Sequence, residues 1–228
     1  MGEHTVKSYD EELSHLAGII SRMGGIAEAQ LAAALQALTE RDAELAGRVV
    51  AGDGRIDELE HEVQSFTVRL LALRQPMAVD LRHIVAALKI SGELERVGDY
   101  AANVAKRSLA LAGQPNLEAV GRLGQLGTLV QAMLKDVLDA YSDQDVDKAV
   151  AVWRRDEEAD QAYNALFGEL IAAMMADPRT ITAGTHLMFM AKNIERIGDH
   201  ATNIAEVVHF LVRGVTIQGE RPKPREAC

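Results

Sequence analysis

The sequence predicts an all-α protein built as two tandem three-helix bundles related by an internal pseudo-twofold duplication. Three observations lead there. Apolar residues recur at three- and four-residue spacing along almost the whole chain, the period of one helix face. The apolar content is mainly Leu, Ala, Val, Ile and Met, with only four Phe, four Tyr and one Trp in 228 residues. Such a composition suits closely packed helices better than sheets. Finally, residues 94–107, LERVGDYAANVAKR, return as residues 194–207, IERIGDHATNIAEV. Glu, Arg, Gly, Asp, Ala, Asn and Ala recur in order, which duplication explains most simply.

A first helix is predicted over residues 10–41, with Leu13, Leu16, Ile20, Met23, Ile26, Leu31, Leu35 and Leu38 on its apolar face. A second runs from about Arg41 to Leu73, with an interruption near Gly52-Asp53-Gly54. Pro76 is read as opening the third helix, which runs to about Ala112, because proline is tolerated in a first turn. Gly113-Gln114-Pro115-Asn116 is the clearest linker. Helices follow over about 117–142 and 144–176, and Asp177-Pro178 repeats the earlier break before a last helix to about residue 214. The bundles are thus placed at 8–113 and 116–214. Residues 215–228, with Pro222-Lys223-Pro224-Arg225, lack an apolar face and are expected to form a flexible tail.

The formal net charge is −10. An acidic surface repels the phosphate backbone, so direct nucleic-acid binding is not expected. Cations and basic protein patches remain compatible. The only cysteine is Cys228, so no disulfide framework or thiolate metal site is expected within the chain. The opening residues Met1 to Val6 contain no apolar signal region, and no apolar run reaches the ~18 residues of a membrane span. The expected location is cytoplasmic, with any membrane contact made through partners.

The chemistry-bearing pattern is acidic. Glu95 and Asp99 stand four apart, as do Glu195 and Asp199, and residues at that spacing share a helix face. Like charges there destabilise a helix unless something positive sits between them. Asn103 and Asn203, one turn further on, add an oxygen or amide at the edge. The second helix of each half carries a matching pair, Asp53 with Asp57 and Asp156 with Asp160. Two antiparallel helices would bring four carboxylates together in each half, with either raised pKa values or bound cations as the outcome. Oxygen donors suit magnesium, manganese, calcium or iron. They argue against a structural Cys/His zinc site. The competing reading is a solvated acidic face, the ordinary fate of a lone Glu-x-x-x-Asp pair. Recurrence in both halves favours the cluster.

Gly98 and Gly198 sit inside helices, where glycine costs about 1 kcal/mol relative to alanine. They mark a close approach of ligand or of a packed helix. Arg96 and Arg196 point about 100° away from the glutamates and are expected to bridge to another helix, with Asp80 as a candidate. Met174, Met175, Met188 and Met190 read as core filling, and Trp153 as an isolated packing or surface residue. Glu-x-x-His pairs at Glu12/His15, Glu58/His61 and Glu206/His209 are what a metal-storage or diiron redox bundle would use, but they do not follow the duplication. No phosphate loop, nucleophile elbow or dinucleotide fingerprint appears, and no enzyme is expected.

The segments ELERVGDYAANVAKR and NIERIGDHATNIAEVV resemble the signature of the PhoU family of phosphate-transport regulators. LLALRQPMAVDLRHIVAALKI, residues 70–90, is similar to that family's stretch between its second and third helices. The resemblance covers roughly residues 8–214. It implies a cytoplasmic homodimer that negatively regulates phosphate uptake and the phosphate-starvation response. It also implies two partners, the phosphate ABC transporter's ATPase and a phosphate sensor histidine kinase. Some members bind multinuclear iron or zinc clusters through Glu/Asp-x-x-x-Asp motifs matching Asp53, Asp57, Glu95, Asp99, Asp156, Asp160, Glu195 and Asp199. Other members are metal-free. Tyr100, where the second copy has His200, departs from an identical repeat.

Overall fold

The structure, a computed structural model, describes residues 2–114 and 117–219, with side chains from residue 9 onward. Pro115, Asn116, the 222–225 segment and Cys228 lie outside the described residues. Helices α1 (Gly2–Glu40), α2 (Ala43–Ala51), α3 (Gly54–Arg74) and α4 (Ala78–Ala110) form the first half. Helices α5 (Ala119–Asp143), α6 (Val146–Arg154), α7 (Asp156–Ala176) and α8 (Ile181–Arg213) form the second. Each half is a three-helix bundle whose middle helix is broken into two collinear-in-sequence pieces, α2–α3 and α6–α7. Among the described residues no helix is long and apolar enough to cross a membrane.

The same corner is built twice. Arg41 and Gln144 adopt left-handed backbone, with φ of 56° and 54°, and end α1 and α5. The next residue's amide then closes a six-residue loop, Asp42 onto the Ala37 carbonyl at 3.0 Å and Asp145 onto Ala140 at 2.9 Å. This is the bonding of a Schellman end. The two aspartates turn at once into N-caps, accepting from the amides of Leu45 and Lys148, each at 2.9 Å. Arg41 also donates to the Leu111 and Gln114 carbonyls at 3.3 and 2.7 Å, so it satisfies the carboxyl end of α4 and holds the start of the linker.

Three sequence expectations need correction. The second-half middle helix is not continuous over 144–176; it breaks at Arg155, where the first half breaks at Gly52-Asp53. Gly52 advertises its break in sequence and Arg155 does not. The break is instead held by tertiary contact: Arg155 donates to Asp136 at 2.9 Å, while Gln30 donates to the Gly52 carbonyl at 3.2 Å. Pro76 does not open α4. It sits in a turn between Gln75 and Ala78, both with positive φ, and the helix starts at Ala78. The methionines also divide. Met190 is fully buried, but Met175 is 81% exposed, at the end of α7.

One continuous core runs through both halves. The apolar face predicted for α1 forms much of it, with Leu16, Ile20, Met23, Leu31, Leu35 and Leu38 buried. Each such side chain contributes about 1.5–3 kcal/mol on burial. Where α1 crosses α5, a leucine of each helix lies over a glycine of the other. A methyl on Gly24 would come within 2.7 Å of Leu138, and one on Gly127 within 2.5 Å of Leu35. Helices α4 and α8 run antiparallel beside this contact. Arg82, early in α4, donates to the carbonyl of Leu211 near the end of α8 at 3.1 Å.

The glycine contact predicts that Gly127→Ala destabilises by about 1–3 kcal/mol through overpacking. In a double-mutant cycle, adding Leu35→Ala is expected to cost less than the two single changes summed; strict additivity in urea unfolding would contradict the contact. A second expectation concerns pH. Arg74 grips Glu12 at 2.7 and 2.9 Å, and that hydrogen bonding holds the Glu12 carboxyl below its usual range. A lowered folded pKa means stability present above the unfolded pKa and lost as pH falls through the folded one. Glu12→Gln should therefore melt below wild type at neutral pH and converge with it in acid.

Candidate functional site

In the first half Asp53, Asp57, Glu95 and Asp99 lie near enough to act on one another electrostatically, and in the second Glu195 does so with Asp199 and Asp160. In the first half, Asp53 is the residue just before α3 and Asp57 lies one turn inside it. Glu95 and Asp99 face them from the middle of α4. Burial pushes the Asp53 carboxyl above its ordinary range, with Asp99 and Asp57 adding to the effect and Lys106 opposing it. Burial likewise pushes Glu95 up, reinforced by Asp99 and opposed by Arg96. The positive groups are at the rim. Lys106 Nζ is 3.8 Å from Asp53, and Arg96 lies 3.4 Å from Glu95 and 3.7 Å from Asp99. Arg96 thus stays on its own helix face and does not reach Asp80. Asn103, one turn beyond Asp99, is half-buried.

The second half repeats the backbone but not the partners. Asp156 begins α7 and is only 4% exposed. Thr202 of α8 lies with its hydroxyl 3.2 Å from the Asp156 carboxylate and 3.0 Å from the Gly198 carbonyl. Glu195 is 8% exposed, and Lys192 Nζ sits 2.7 and 2.6 Å from its two oxygens. Burial still pushes the Glu195 carboxyl up, with Asp199 and Asp160 on the same side and Lys192 opposing. Among the described residues Arg196 makes no bridge to an acid of another helix; its guanidinium lies over the Tyr100 ring at 5.6 Å.

Between the two patches, α4 and α8 meet in a polar seam. Glu93 accepts from Asn203 at 3.0 Å and pairs with His200 Nδ1 at 2.6 Å. His200 in turn stacks on Tyr100 with centroids 5.5 Å apart. Asn203 is therefore turned to the seam. Trp153 is neither isolated nor exposed. It is nearly buried, and its indole donates to Glu206 at 3.0 Å. Sequence reasoning missed Glu93, Lys192 and Thr202. Only Lys192 had a visible signal, standing three residues before Glu195 on the same helix face.

Two stretches, residues 20–108 and 123–208, match the PhoU domain family. The chain belongs to the PhoU family. It is 58% identical to the phosphate-specific transport system accessory protein PhoU homolog of Caulobacter vibrioides over 98% of this chain and 97% of that one. The namesake from Rhizobium meliloti is 47% identical over 96% and 93% of the two chains. Among solved structures, PhoU from Pseudomonas aeruginosa superposes with a TM-score of 0.88 at 38% identity, covering 91% of this chain and all of that one. The phosphate transport system regulatory protein PhoU from Streptococcus pneumoniae gives 0.86 at 32% identity, covering 92% and 99%.

As a metal site, the PhoU-family motif offers only oxygen donors, and burial pushes the Asp53, Glu95 and Glu195 carboxyls above their ordinary range. That chemistry fits magnesium, manganese or iron. Among the described residues no three Asp, Glu, His or Cys side chains converge as a ready-made metal site. The diiron pattern fares no better. Glu12 is taken by Arg74, Glu58 by Arg55 and Glu206 by Trp153.

The motif glycines differ in what they do. A methyl on Gly98 would meet Ile56 at 2.8 Å and Gln30 at 3.2 Å, whereas one on Gly198 would find only ordinary contacts from 3.5 Å outward. Gly98 thus answers to helix packing. Gly198→Ala is expected to stabilise by about 1 kcal/mol through helix propensity. Gly98→Ala should lose that gain to crowding against the buried Ile56 and end below wild type. Equal urea midpoints for the two variants would refute the packing account.

Proposed function

We propose that this protein is an accessory regulator of a phosphate transport system, acting as a cytoplasmic, non-enzymatic adaptor. The observation that carries the reading is similarity along almost the entire chain, in both halves, to proteins named as phosphate-specific transport accessory proteins. In this reading the protein restrains phosphate uptake and the phosphate-starvation response when phosphate is plentiful. It does so as a homodimer whose helical faces contact the transporter's ATPase and the sensor histidine kinase. The fold is compatible with such a role, since a helical body with one continuous core presents helix faces on which partners can dock.

The acidic patches are assigned to a metal cation that carboxylates can hold, iron, manganese, magnesium or zinc. Asp53, Asp57, Glu95 and Asp99 would hold it in the first half, and Asp156, Asp160, Glu195 and Asp199 in the second. A bound cation would supply positive charge that offsets the cost of burying like charges, fixing α3 against α4 and α7 against α8.

Deletion of the gene is expected to switch on phosphate-starvation reporters in phosphate-rich medium, with wild-type chain restoring repression. Purified protein should retain the transporter ATPase and the kinase's cytoplasmic region on an affinity column. A deletion strain with normal reporter levels and normal phosphate uptake would sink the regulator assignment.

A further inference from the structure

On the first half, α1, α2 and the start of α3 enclose an open groove of about 550 Å³. Its floor is apolar, made by Ile26, Ala29, Ala33, Leu45, Val49 and Leu59. Its charged lining is of one sign: Arg22, Arg48 and Arg55 border it, and among the described residues no Asp or Glu does. On a chain of net charge −10 that is a local reversal. Each arginine has an acid on its outer side, Glu62 at 3.9 Å, Glu44 at 2.8 Å and Glu58 respectively. All six side chains are well exposed, and surface pairs of this kind are weak and readily exchanged for another carboxylate.

The second half does not repeat the groove. In the register that sets Gly24 against Gly127 and Asp42 against Asp145, the three arginines fall opposite Gln125, Ala151 and Glu158. Leu45 falls opposite Lys148, and the pair Ala33 and Gly52 opposite Asp136 and Arg155. Arg155 and Asp136 bridge that space with an ion pair at 2.9 Å. In the first half alanine and glycine leave it open. Gly25 borders the groove as well, and a methyl built on it would find no described atom within 4 Å. Its neighbour Gly24 is accounted for by Leu138, whereas Gly25 has nothing of this chain above it.

The shape suits a helix. Along α1 the groove runs from Arg22 to Ala33, three turns or about 16 Å at the rise of an α-helix. Small residues at Gly25, Ala29 and Ala33, four apart, let a second helix lie close against α1. We infer that this groove docks an amphipathic helix of a protein partner, apolar on the face that enters and carrying Asp or Glu along its edges. This rests on the adaptor reading above and gives it a place and a chemistry.

The test uses full-length protein, with the purified transporter ATPase and the kinase's cytoplasmic region as probes and binding read by biolayer interferometry. Ala29→Trp fills the groove from an exposed position, and Arg22→Glu/Arg48→Glu/Arg55→Glu reverses the rim without touching the core. Each is expected to weaken at least one probe by about tenfold or more. Ala151→Trp, at the exposed second-half counterpart of Arg48, should weaken neither. A photocrosslinking residue at position 29 should attach to a probe helix whose apolar stripe is edged by Asp or Glu. Full binding of both probes by the triple variant or by folded Ala29→Trp would overturn the inference and leave the adaptor reading standing. So would a crosslink to a segment without that pattern, or a wild-type dimer that Ala29→Trp splits in sedimentation velocity, since the groove would then hold a second copy. If Ala29→Trp fails to fold, the triple variant decides alone. Wild type that holds neither probe would bring down the adaptor reading, and this inference with it.

Discussion

The arrangement of the whole molecule depends on a contact made twice: Leu35 set over Gly127, and Leu138 set over Gly24. A side chain larger than hydrogen at either glycine would collide with the leucine opposite, so that the leucine or the helices must shift. Because the two contacts are related by the internal symmetry, relieving one cannot be compensated by tilting toward the other. The close crossing lets the cores of the two bundles merge. It also leaves α4 and α8 beside each other, antiparallel, with Arg82 of one closing onto the Leu211 carbonyl of the other. The positions of the acidic patches, one on each of those helices, follow from that crossing.

Around this symmetric frame the polar chemistry is asymmetric. The break in the middle helix is fixed by a neutral amide in the first half and by an ion pair in the second. The seam between α4 and α8 pairs Glu93 with His200 and stacks His200 on Tyr100, joining unlike residues across a like backbone. Burial raises the affinity of Asp53, Glu95 and Glu195 for a proton, so each patch carries an electrostatic cost at neutral pH that some positive partner relieves. In one half that partner is an exposed rim of Arg96 and Lys106. In the other it is Lys192, half-exposed itself but paired with the largely buried Glu195.

Much of the fold was legible because helical periodicity and duplication are local, repeated signals. The apolar stripe of α1 and the paired motif on α4 and α8 needed no tertiary information. The Gly52 break was visible because glycine is a poor helix former. The Arg155 break was not, since nothing local at Arg155 disfavours a helix and its cause, Asp136, lies on a different element. The acidic residues were found by spacing, and the duplication led to the expectation that they group in each half. What spacing did not give was the difference between the patches. That difference is written at Lys192 and Thr202, where the first half has Gly92 and Ala102, positions outside the repeated residues on which the reading was built. The destination of Arg196, the ring of Tyr100 across the seam, also depends on a helix crossing that no sequence window contains.

Joining the halves in one polypeptide has a genetic consequence. An assembly of two identical half-length chains would carry a lysine at both patches or at neither, because one codon would specify both. Here position 92 and position 192 are separate codons, and a substitution at one leaves the other untouched. Selection can therefore keep one copy as a fixed structural support and adjust the other independently, within a backbone that stays symmetric.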